Sequence, residues 1–179
     1  LVKDEIAVQS FSYSKWLPLG KPECLVKNLD RWGADEIAVI SIDRKEKGPD
    51  LDLIKKIGSL GLTTPLTYSG GIKNKNDAIA VINAGAERIA LDSLLNENTS
   101  EIKNISSAIG IQAIIGSFPL IQEKNGNVLH YNHINKKNKE LNDKLVGILF
   151  NPKGAGLGQT YDGAKSYLIH TRNHQKRPK

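Results

Sequence analysis

Three short apolar runs recur along this sequence, and a helical pattern follows each of them. The runs cover residues 36–42, 65–69 and 88–91. The first is nearly continuous in β-branched and small apolar residues, which is typical of a strand buried on both faces of a parallel sheet. Because strand and helix alternate at a spacing of roughly 25 to 30 residues, the sequence predicts an α/β fold with a parallel sheet.

Helical spacing of apolar residues predicts the helices between these strands. They cover residues 22–32, 51–60, 76–84 and 99–109. In the first, Cys24, Leu25, Leu29 and Trp32 are predicted to form the apolar face. The single cysteine, Cys24, is expected to be a buried or neutral thiol, because no histidine lies near it in the sequence.

Both ends of the chain depart from this regular pattern. Residues 1–9 are predicted to be the end of a strand followed by a mobile loop, and residues 15–22, rich in proline and glycine, a connector. The later predictions are a strand (112–115), a β-hairpin (121–131) turning at Asn125-Gly126, a short polar helix (136–145), a further strand (146–150) and a second glycine-rich loop (152–158).

The ends of two neighbouring strands predict a ligand site. One strand runs into Gly70-Gly71, and the next ends in Asp92-Ser93 before another helix. Backbone N–H groups and helix N-termini at one edge of a sheet suit a phosphate. Simpler interpretations remain open: a tight turn without a ligand for the glycines, a helix N-cap for Ser93, and a solvated loop acid or a ligand-facing group for Asp43.

Composition and charge narrow the class of protein. With 179 residues and a net charge of +6, the chain suits one soluble domain, and its basic excess lies in Lys136, Lys137, Lys139 and the tail from His170 to Lys179. No zinc spacing or RNA-binding motif accompanies that excess, so no nucleic-acid partner, metal or cofactor is predicted. The sequence has no apolar run long enough to cross a bilayer and no signal pattern at its start. We therefore expect a cytoplasmic location and no membrane partner.

Four motifs carry a family resemblance. They resemble, in order and spacing, motifs of the cyclase subunit of imidazole glycerol phosphate synthase, and the match extends from Leu1 to about Asp162. The motifs are Gly33-Ala34-Asp35-Glu36-Ile37, Ser41-Ile42-Asp43, the stretch from Pro65 to Gly70-Gly71-Ile72, and the stretch from Ala84-Gly85-Ala86 to Asp92-Ser93. We therefore expect a partial barrel domain over residues 1–162 and a basic tail over 163–179.

The resemblance implies a (β/α)8 barrel with ligands at the carboxyl ends of its strands. One substrate phosphate is expected at Gly71, after Gly70, and at Asp92 and Ser93. By the same resemblance, Lys3 matches the lysine of the mobile first loop, and Lys153-Gly154-Ala155 matches the loop that holds the other phosphate. The aspartate of the family's second strand falls on Ser41, with Asp43 two residues later.

Departures from the family pattern affect its acids. The first catalytic aspartate lies upstream of the Val-Lys matched here, and the second falls on Pro119. Proline can neither donate nor accept a proton, although acid-base ring closure needs a titratable group within hydrogen-bond reach. We therefore assign no catalytic residue. An asparagine of the phosphate site has become Asp92, whose carboxylate repels a phosphate unless a lysine or a proton offsets it.

Length limits how much of a barrel the chain can build. A complete barrel takes about 250 residues, and the sequence supplies about five or six βα units. We expect an incomplete barrel, from a fragment, a truncated reading frame or missing segments.

Two functions follow from the resemblance. The first is the synthase half of a glutamine amidotransferase, in which ammonia from a glutaminase partner reacts with a phosphorylated nucleotide to give imidazole glycerol phosphate and an aminoimidazole ribonucleotide. The second is a non-cyclising paralogue that docks a glutaminase and passes ammonia to an acceptor in sugar amidation, as cyclase-like proteins of surface-polysaccharide pathways are thought to do. The loss of the acid at Pro119 favours the second.

Overall fold

A computed structural model describes residues 1–11, 15–117, 120–122, 128–132 and 137–140. The chain divides into two compact units, residues 1–115 and 116–179. The predicted domain boundary at residue 162 lies outside the described residues.

Strands and helices alternate through the first unit. Its elements are β1 (Val2–Lys3), β2 (Ile6–Phe11), β3 (Lys15–Gly20), α1 (Pro22–Arg31), β4 (Ile37–Ile40), α2 (Leu51–Gly58), β5 (Leu66–Ser69), α3 (Lys75–Asn83), β6 (Arg88–Leu91), α4 (Ser93–Glu97), α5 (Thr99–Ile109), a 3-10 turn (Ile111–Ala113) and β7 (Ile114–Gly116) at its boundary. The predicted α/β fold is confirmed.

The central sheet follows the chain order β4-β5-β6-β7. The β4–β5 and β5–β6 pairs are parallel. At the carboxyl end of β4, Ser41 forms a parallel bridge with Val2, and the Ile42 N–H donates to the Val2 carbonyl at 2.9 Å. The end of β1 thus extends the parallel arrangement by one strand, as expected for part of a (β/α)8 barrel.

The main core lies between one face of this sheet and its helices. Along β4 and β5, Ile37, Val39, Leu66 and Tyr68 alternate toward the helices and are buried. From the helices, Ile54 and Ile57 of α2 and Ile105 of α5 are fully buried. Burying each such side chain contributes roughly 1.5 to 3 kcal/mol to folding, so this layer is the main stabilising element of the unit.

Side-chain caps fix where three helices begin. Asp50 accepts from the Leu53 N–H before α2, Asn74 from the N–H groups of the first turn of α3, and Asn98 from the Glu101 N–H before α5. Each cap satisfies a donor that lacks an intrahelical partner. The first helix instead has Pro22 in its first turn, where the missing N–H costs little.

The prediction of a connector over residues 15–22 is wrong for most of that stretch. Residues Lys15–Gly20 form β3, which pairs antiparallel with β2. Pro18 is tolerated there because β3 is an edge strand of the β1-β2-β3 sheet. Residues Ile6–Phe11, which include part of the predicted mobile loop, form β2.

The predicted apolar face of α1 is also wrong in part. Val26 is buried, whereas Leu29 is 40% and Trp32 71% exposed, and Cys24, expected to be buried or neutral, is exposed. Within the described residues, α1 packs against α2, β2 and β4. Helical spacing identifies the apolar stripe of a helix, but the elements that pack against the helix determine which residues of that stripe are buried.

The second unit contains an antiparallel sheet in the order β10-β9-β8. Its strands are β8 (Leu120–Gln122), β9 (Val128–Asn132) and β10 (Lys137–Glu140). The β8–β9 pairing matches the predicted hairpin, while its Asn125-Gly126 turn lies outside the described residues. The predicted helix over 136–145 is wrong at Lys137–Glu140, because this segment pairs with β9 and strand pairing is not visible in local propensity.

Candidate functional site

The carboxyl ends of the parallel strands lie at one edge of the sheet. The Ser41 N–H donates to the Ser69 carbonyl at 2.8 Å, and Tyr68 is paired with Ile89 in the next strand. This register brings the residues after β4, β5 and β6 to the same level, beside the end of β1. The segments that carry Lys3, Gly71 and Asp92 are therefore neighbours at this edge.

Gly70 and Gly71 form the turn that follows β5, and neither has room for a side chain. A β-carbon on Gly70 would lie 2.4 Å from the Ser41 carbonyl oxygen, and one on Gly71 would lie 2.4 Å from the backbone of Gly48. Their φ angles are +131° and +72°, values that L residues rarely adopt. The turn therefore packs tightly against the backbone that follows β4.

The helix after this turn was predicted to begin at residue 76, and it begins one residue earlier. It starts at Lys75, and the Asn74 side chain already accepts from the Asn76 and Asp77 N–H groups. An anion at Gly71 would therefore meet the backbone of the glycine turn before it meets the N-terminus of α3.

Asp92 and Ser93 follow β6 directly and are half-buried. Asp92 is the N-cap residue of the five-residue α4, without a side-chain cap hydrogen bond, and Ser93 is its first helical residue. The alternative that Ser93 is an N-cap is therefore wrong by one position. The phosphate role of both residues stays a prediction.

Ser41 and Asp43 take different positions after β4. Ser41 is 3% exposed, and among the described residues its hydroxyl has no hydrogen-bond partner of normal geometry. Asp43 accepts from the Asp4 N–H at 3.1 Å and lies 3.6 Å from the Lys47 ammonium. Its carboxylate thus ties the turn after β1 to the end of β4.

Basic side chains surround this edge, and each lies close to a carboxylate. The proximity of Asp4 raises the pKa of Lys3, and Lys3 in turn lowers the pKa of Asp4. The nitrogen–oxygen distances are 2.6 Å for Lys3–Asp4, 3.6 Å for Lys45–Glu97, 3.6 Å for Lys47–Asp43 and 3.1 Å for Lys73–Glu46. These exposed pairs are weak and screened by salt, so a multiply charged anion can compete for the lysines.

Two residues at this edge were not assigned a role from the sequence. The Tyr68 hydroxyl accepts from the Asp50 N–H at 2.9 Å. The Arg44 guanidinium donates to the carbonyls of Gly48 and Pro49 at 2.9 and 3.2 Å. The available signal for Tyr68 was a side chain with a polar end on the same strand face as the apolar Leu66.

An open cavity of about 570 Å³ lies beside α2. Both acidic and basic residues line it, among them Glu5, Lys21, Arg44, Asp50 and Lys55. Because these charges offset one another, the cavity suits a phosphate less well than the glycine turn does.

Several predicted site residues lie outside the described residues: Pro119, Lys153, Gly154 and Ala155. In the part that is described, no group of three or more His, Cys, Asp or Glu side chains is placed to hold a metal ion. The same residues include no helix with the length and apolarity to cross a bilayer.

The chain is similar in sequence to a known protein family and to several curated proteins. Residues 2–146 match the family described as histidine biosynthesis protein. The chain is 32% identical over 116 residues to the imidazole glycerol phosphate synthase subunit HisF of Exiguobacterium sibiricum, covering 64% of this chain and 46% of that protein. It is also 32% identical over 127 residues to a putative subunit hisF2 of Vibrio vulnificus, covering 70% of this chain and 46% of the relative.

A longer match adds coverage at lower identity. The HisF subunit of Azobacteroides pseudotrichonymphae is 27% identical over 173 residues, which is 92% of this chain and 68% of that protein. The chain thus spans about half the length of the first two relatives. The family match covers most of the chain and the parallel sheet has the expected strand order, so the chain belongs to the histidine biosynthesis protein family, as a member similar to the cyclase subunit of imidazole glycerol phosphate synthase.

Proposed function

We propose that the protein works with a glutaminase and binds a phosphorylated ligand at the carboxyl ends of β5 and β6. In the first form of the proposal it is the synthase subunit itself. Ammonia from the glutaminase then reacts with the bound nucleotide to form imidazole glycerol phosphate and an aminoimidazole ribonucleotide. The names of the relatives support this form.

The observation that carries the ligand site is the turn at Gly70 and Gly71. Neither position has room for a β-carbon, and a backbone without side chains can approach a phosphate closely and offer it N–H groups. The Ser93 hydroxyl, at the end of the neighbouring strand, is the proposed second contact. We propose Gly154 and Ala155 for the other phosphate on the family resemblance alone.

Charge at the site requires compensation in this proposal. The Asp92 carboxylate repels a dianionic phosphate, whereas Lys3, the last residue of β1, and Lys73, which follows β5, attract it. Both lysines pair with exposed carboxylates, Asp4 and Glu46. We expect the ligand to draw them away from these partners, so its affinity should fall as salt is raised.

Phosphate binding is tested by titrating the protein with inorganic phosphate and with glycerol phosphate. Gly71→Asp and Ser93→Ala should each weaken binding, the first by charge and bulk and the second by loss of a hydroxyl. Gly61→Asp and Ser107→Ala are matched controls, because Gly61 borders open space and the exposed Ser107 hydroxyl bonds its own helix. Unchanged affinity in both site variants would remove the proposed site.

The reaction is tested by mixing the full-length protein with a glutaminase subunit and the nucleotide substrate of the synthase. Formation of imidazole glycerol phosphate at a rate that depends on glutamine would support the first form. Product without a requirement for this protein would contradict it.

Pro119 favours a second form of the proposal. It occupies the position of a catalytic acid in the family, and proline cannot transfer a proton. In this form the protein docks the glutaminase, binds the phosphorylated ligand without closing a ring, and passes ammonia to an acceptor in sugar amidation. Glutamine hydrolysis stimulated by the protein, without imidazole product, is the expected result; wild-type-like turnover would exclude this form.

A further inference from the structure

The loop between β4 and α2, residues 44–50, lies directly against the proposed ligand turn. A β-carbon on Gly71 would lie 2.4 Å from the Gly48 backbone and 2.8 Å from the Arg44 carbonyl oxygen. With so little space between the two backbones, a shift of the loop toward the turn displaces the turn, and a shift away from it removes the packing that supports it. Whatever holds residues 44–50 therefore also sets the position of Gly71.

The buried hydroxyl of Tyr68 holds one end of this loop. Tyr68 is fully buried, and its oxygen accepts from the Asp50 N–H at 2.9 Å. Burial raises the pKa of Tyr68, so the phenol stays neutral at physiological pH. A buried hydroxyl is stabilising only while it is hydrogen-bonded. The contact therefore favours the one loop position in which the Asp50 N–H reaches the Tyr68 oxygen.

Arg44 and Asp50 close the loop on itself. The Arg44 side chain donates to the Gly48 carbonyl at 2.9 Å and to the Pro49 carbonyl at 3.2 Å, and it lies 3.9 Å from the Asp50 carboxylate. That carboxylate also caps α2 through the Leu53 N–H. The loop is thus a compact unit that can be displaced as a whole.

Outer contacts of the loop are weaker than these. Lys73–Glu46 and Lys45–Glu97 connect it to the segments after β5 and β6, but their side chains are between 47% and 78% exposed. Exposed ion pairs contribute little and are screened by salt. The Tyr68 bond, which is shielded from water, is therefore the main tether between the loop and β5.

We propose that Tyr68 is a positioning residue for the ligand turn: through the Asp50 N–H it holds residues 44–50 against Gly71 and so preorganises the turn for a phosphate group. Its effect on affinity rests on the proposed function, whereas its effect on the loop does not. Preorganisation of this kind raises affinity by reducing the ordering that the ligand must impose.

The test compares Tyr68→Phe with Thr64→Val in the full chain. Each variant removes one hydroxyl from a buried side chain and leaves a side chain of nearly the same shape. Tyr68 lies near the carboxyl end of β5, and Thr64 lies just before its amino end. Backbone amide hydrogen exchange and the affinity for inorganic phosphate are measured for both variants and the wild type.

In Tyr68→Phe we expect exchange to be about tenfold faster at the Asp50 amide and at the Lys47 amide, which donates to the Arg44 carbonyl within the loop, as for the loss of one buried hydrogen bond. Phosphate affinity should fall several-fold. Thr64→Val should leave both unchanged. Equal exchange at these amides in the two variants would overturn the role of Tyr68, whether or not phosphate binds. Absence of phosphate binding by the wild type would instead contradict the proposed function, and the exchange data would still decide for or against Tyr68.

Discussion

The α-carbon of Gly70 faces the carbonyl oxygen of Ser41 so closely that a β-carbon there would lie 2.4 Å from that oxygen. Packing alone thus demands glycine at this position, whether or not a ligand binds. The glycine pair is consequently necessary for the proposed phosphate site but does not identify it. Stability and affinity therefore have to be measured separately in every variant of this turn.

Gly70→Ala should lower the free energy of unfolding by about 3 kcal/mol, because the added methyl group meets backbone atoms that can move only with β4. Gly61→Ala is the matched control. Its φ is also positive, at +66°, but its β-carbon would meet nothing within 4 Å, so only the backbone strain of about 1 to 2 kcal/mol applies. Urea unfolding checks both values, and equal losses would contradict the packing argument.

Acid sensitivity should depend on Asp30. Its Oδ1 accepts from the N–H and hydroxyl groups of both Thr63 and Thr64 at 2.7 to 3.1 Å. These bonds, led by the Thr64 hydroxyl, lower the pKa of Asp30 below its ordinary value of 3.8. A carboxyl group whose pKa is lower in the folded state stabilises the protein at pH values above its unfolded-state pKa. This contribution is lost as the pH falls through the folded-state pKa.

Thr64→Val should move the Asp30 pKa back toward its ordinary value. The variant should be less stable than the wild type at about pH 6, and the difference should narrow toward about pH 3. Urea unfolding across this range measures it. A difference that stays constant with pH would show that Thr64 stabilises the protein without acting on the Asp30 carboxylate.

Local signals in the sequence predicted much of the first unit. The boundaries of α5 were predicted as found, because Asn98 caps one end and Gly110 terminates the other. Strands β4, β5 and β6 were located within about two residues, since a nearly continuous apolar run between helices allows few other structures.

Long-range pairing accounts for what the sequence did not predict. The strand character of β3 and β10 depends on partners in β2 and β9, and neither segment has a strong strand pattern of its own. The contact of Tyr68 with Asp50 spans 18 residues, so it follows from the fold. For the same reason, spacing brought Gly71 and Ser93 to one edge but could not show that residues 44–50 pack on the turn.

The contact between Glu36, Thr67 and Arg88 offers a test of which polar partner of Glu36 contributes most to stability. Glu36 accepts from the Thr67 hydroxyl and from Arg88 at 3.0 Å. Thr67 is 2% exposed, whereas the side chains of Arg88 and Glu36 are 43% and 32% exposed. Loss of the acceptor for a buried hydroxyl should therefore cost more than loss of the ion pair.

Glu36→Leu should lower stability by about 1 to 3 kcal/mol and Arg88→Met by less than about 1 kcal/mol. Adding Thr67→Val to Glu36→Leu should recover part of the loss, because replacing both partners leaves no unsatisfied hydroxyl. Chemical unfolding of the single and double variants measures the coupling. Additive losses in the double variant would show that the Thr67 hydroxyl does not depend on Glu36.

The turn between β1 and β2 should gain stability from a single substitution. Lys3 pairs with Ile6 across Asp4 and Glu5, whose φ angles are +47° and +62°. Two-residue hairpin turns with positive φ favour asparagine and glycine, whereas an L residue other than these pays about 1 to 2 kcal/mol in the left-handed region. Glu5→Gly relieves that strain but adds freedom to the unfolded chain, for a net gain of about 0.5 to 1 kcal/mol.

Glu5→Ala is the control for this gain, since it removes the same charge and keeps a β-carbon at positive φ. Thermal unfolding should show a higher midpoint for Glu5→Gly than for Glu5→Ala, by roughly 1 to 4 °C. The same turn presents the Asp4 N–H to Asp43 at 3.1 Å, so the glycine variant should also slow hydrogen exchange at the Asp4 amide. Equal midpoints would mean that the positive φ of Glu5 carries no strain, and that the turn is held by the contacts of Asp4 with Asp43 and Lys3.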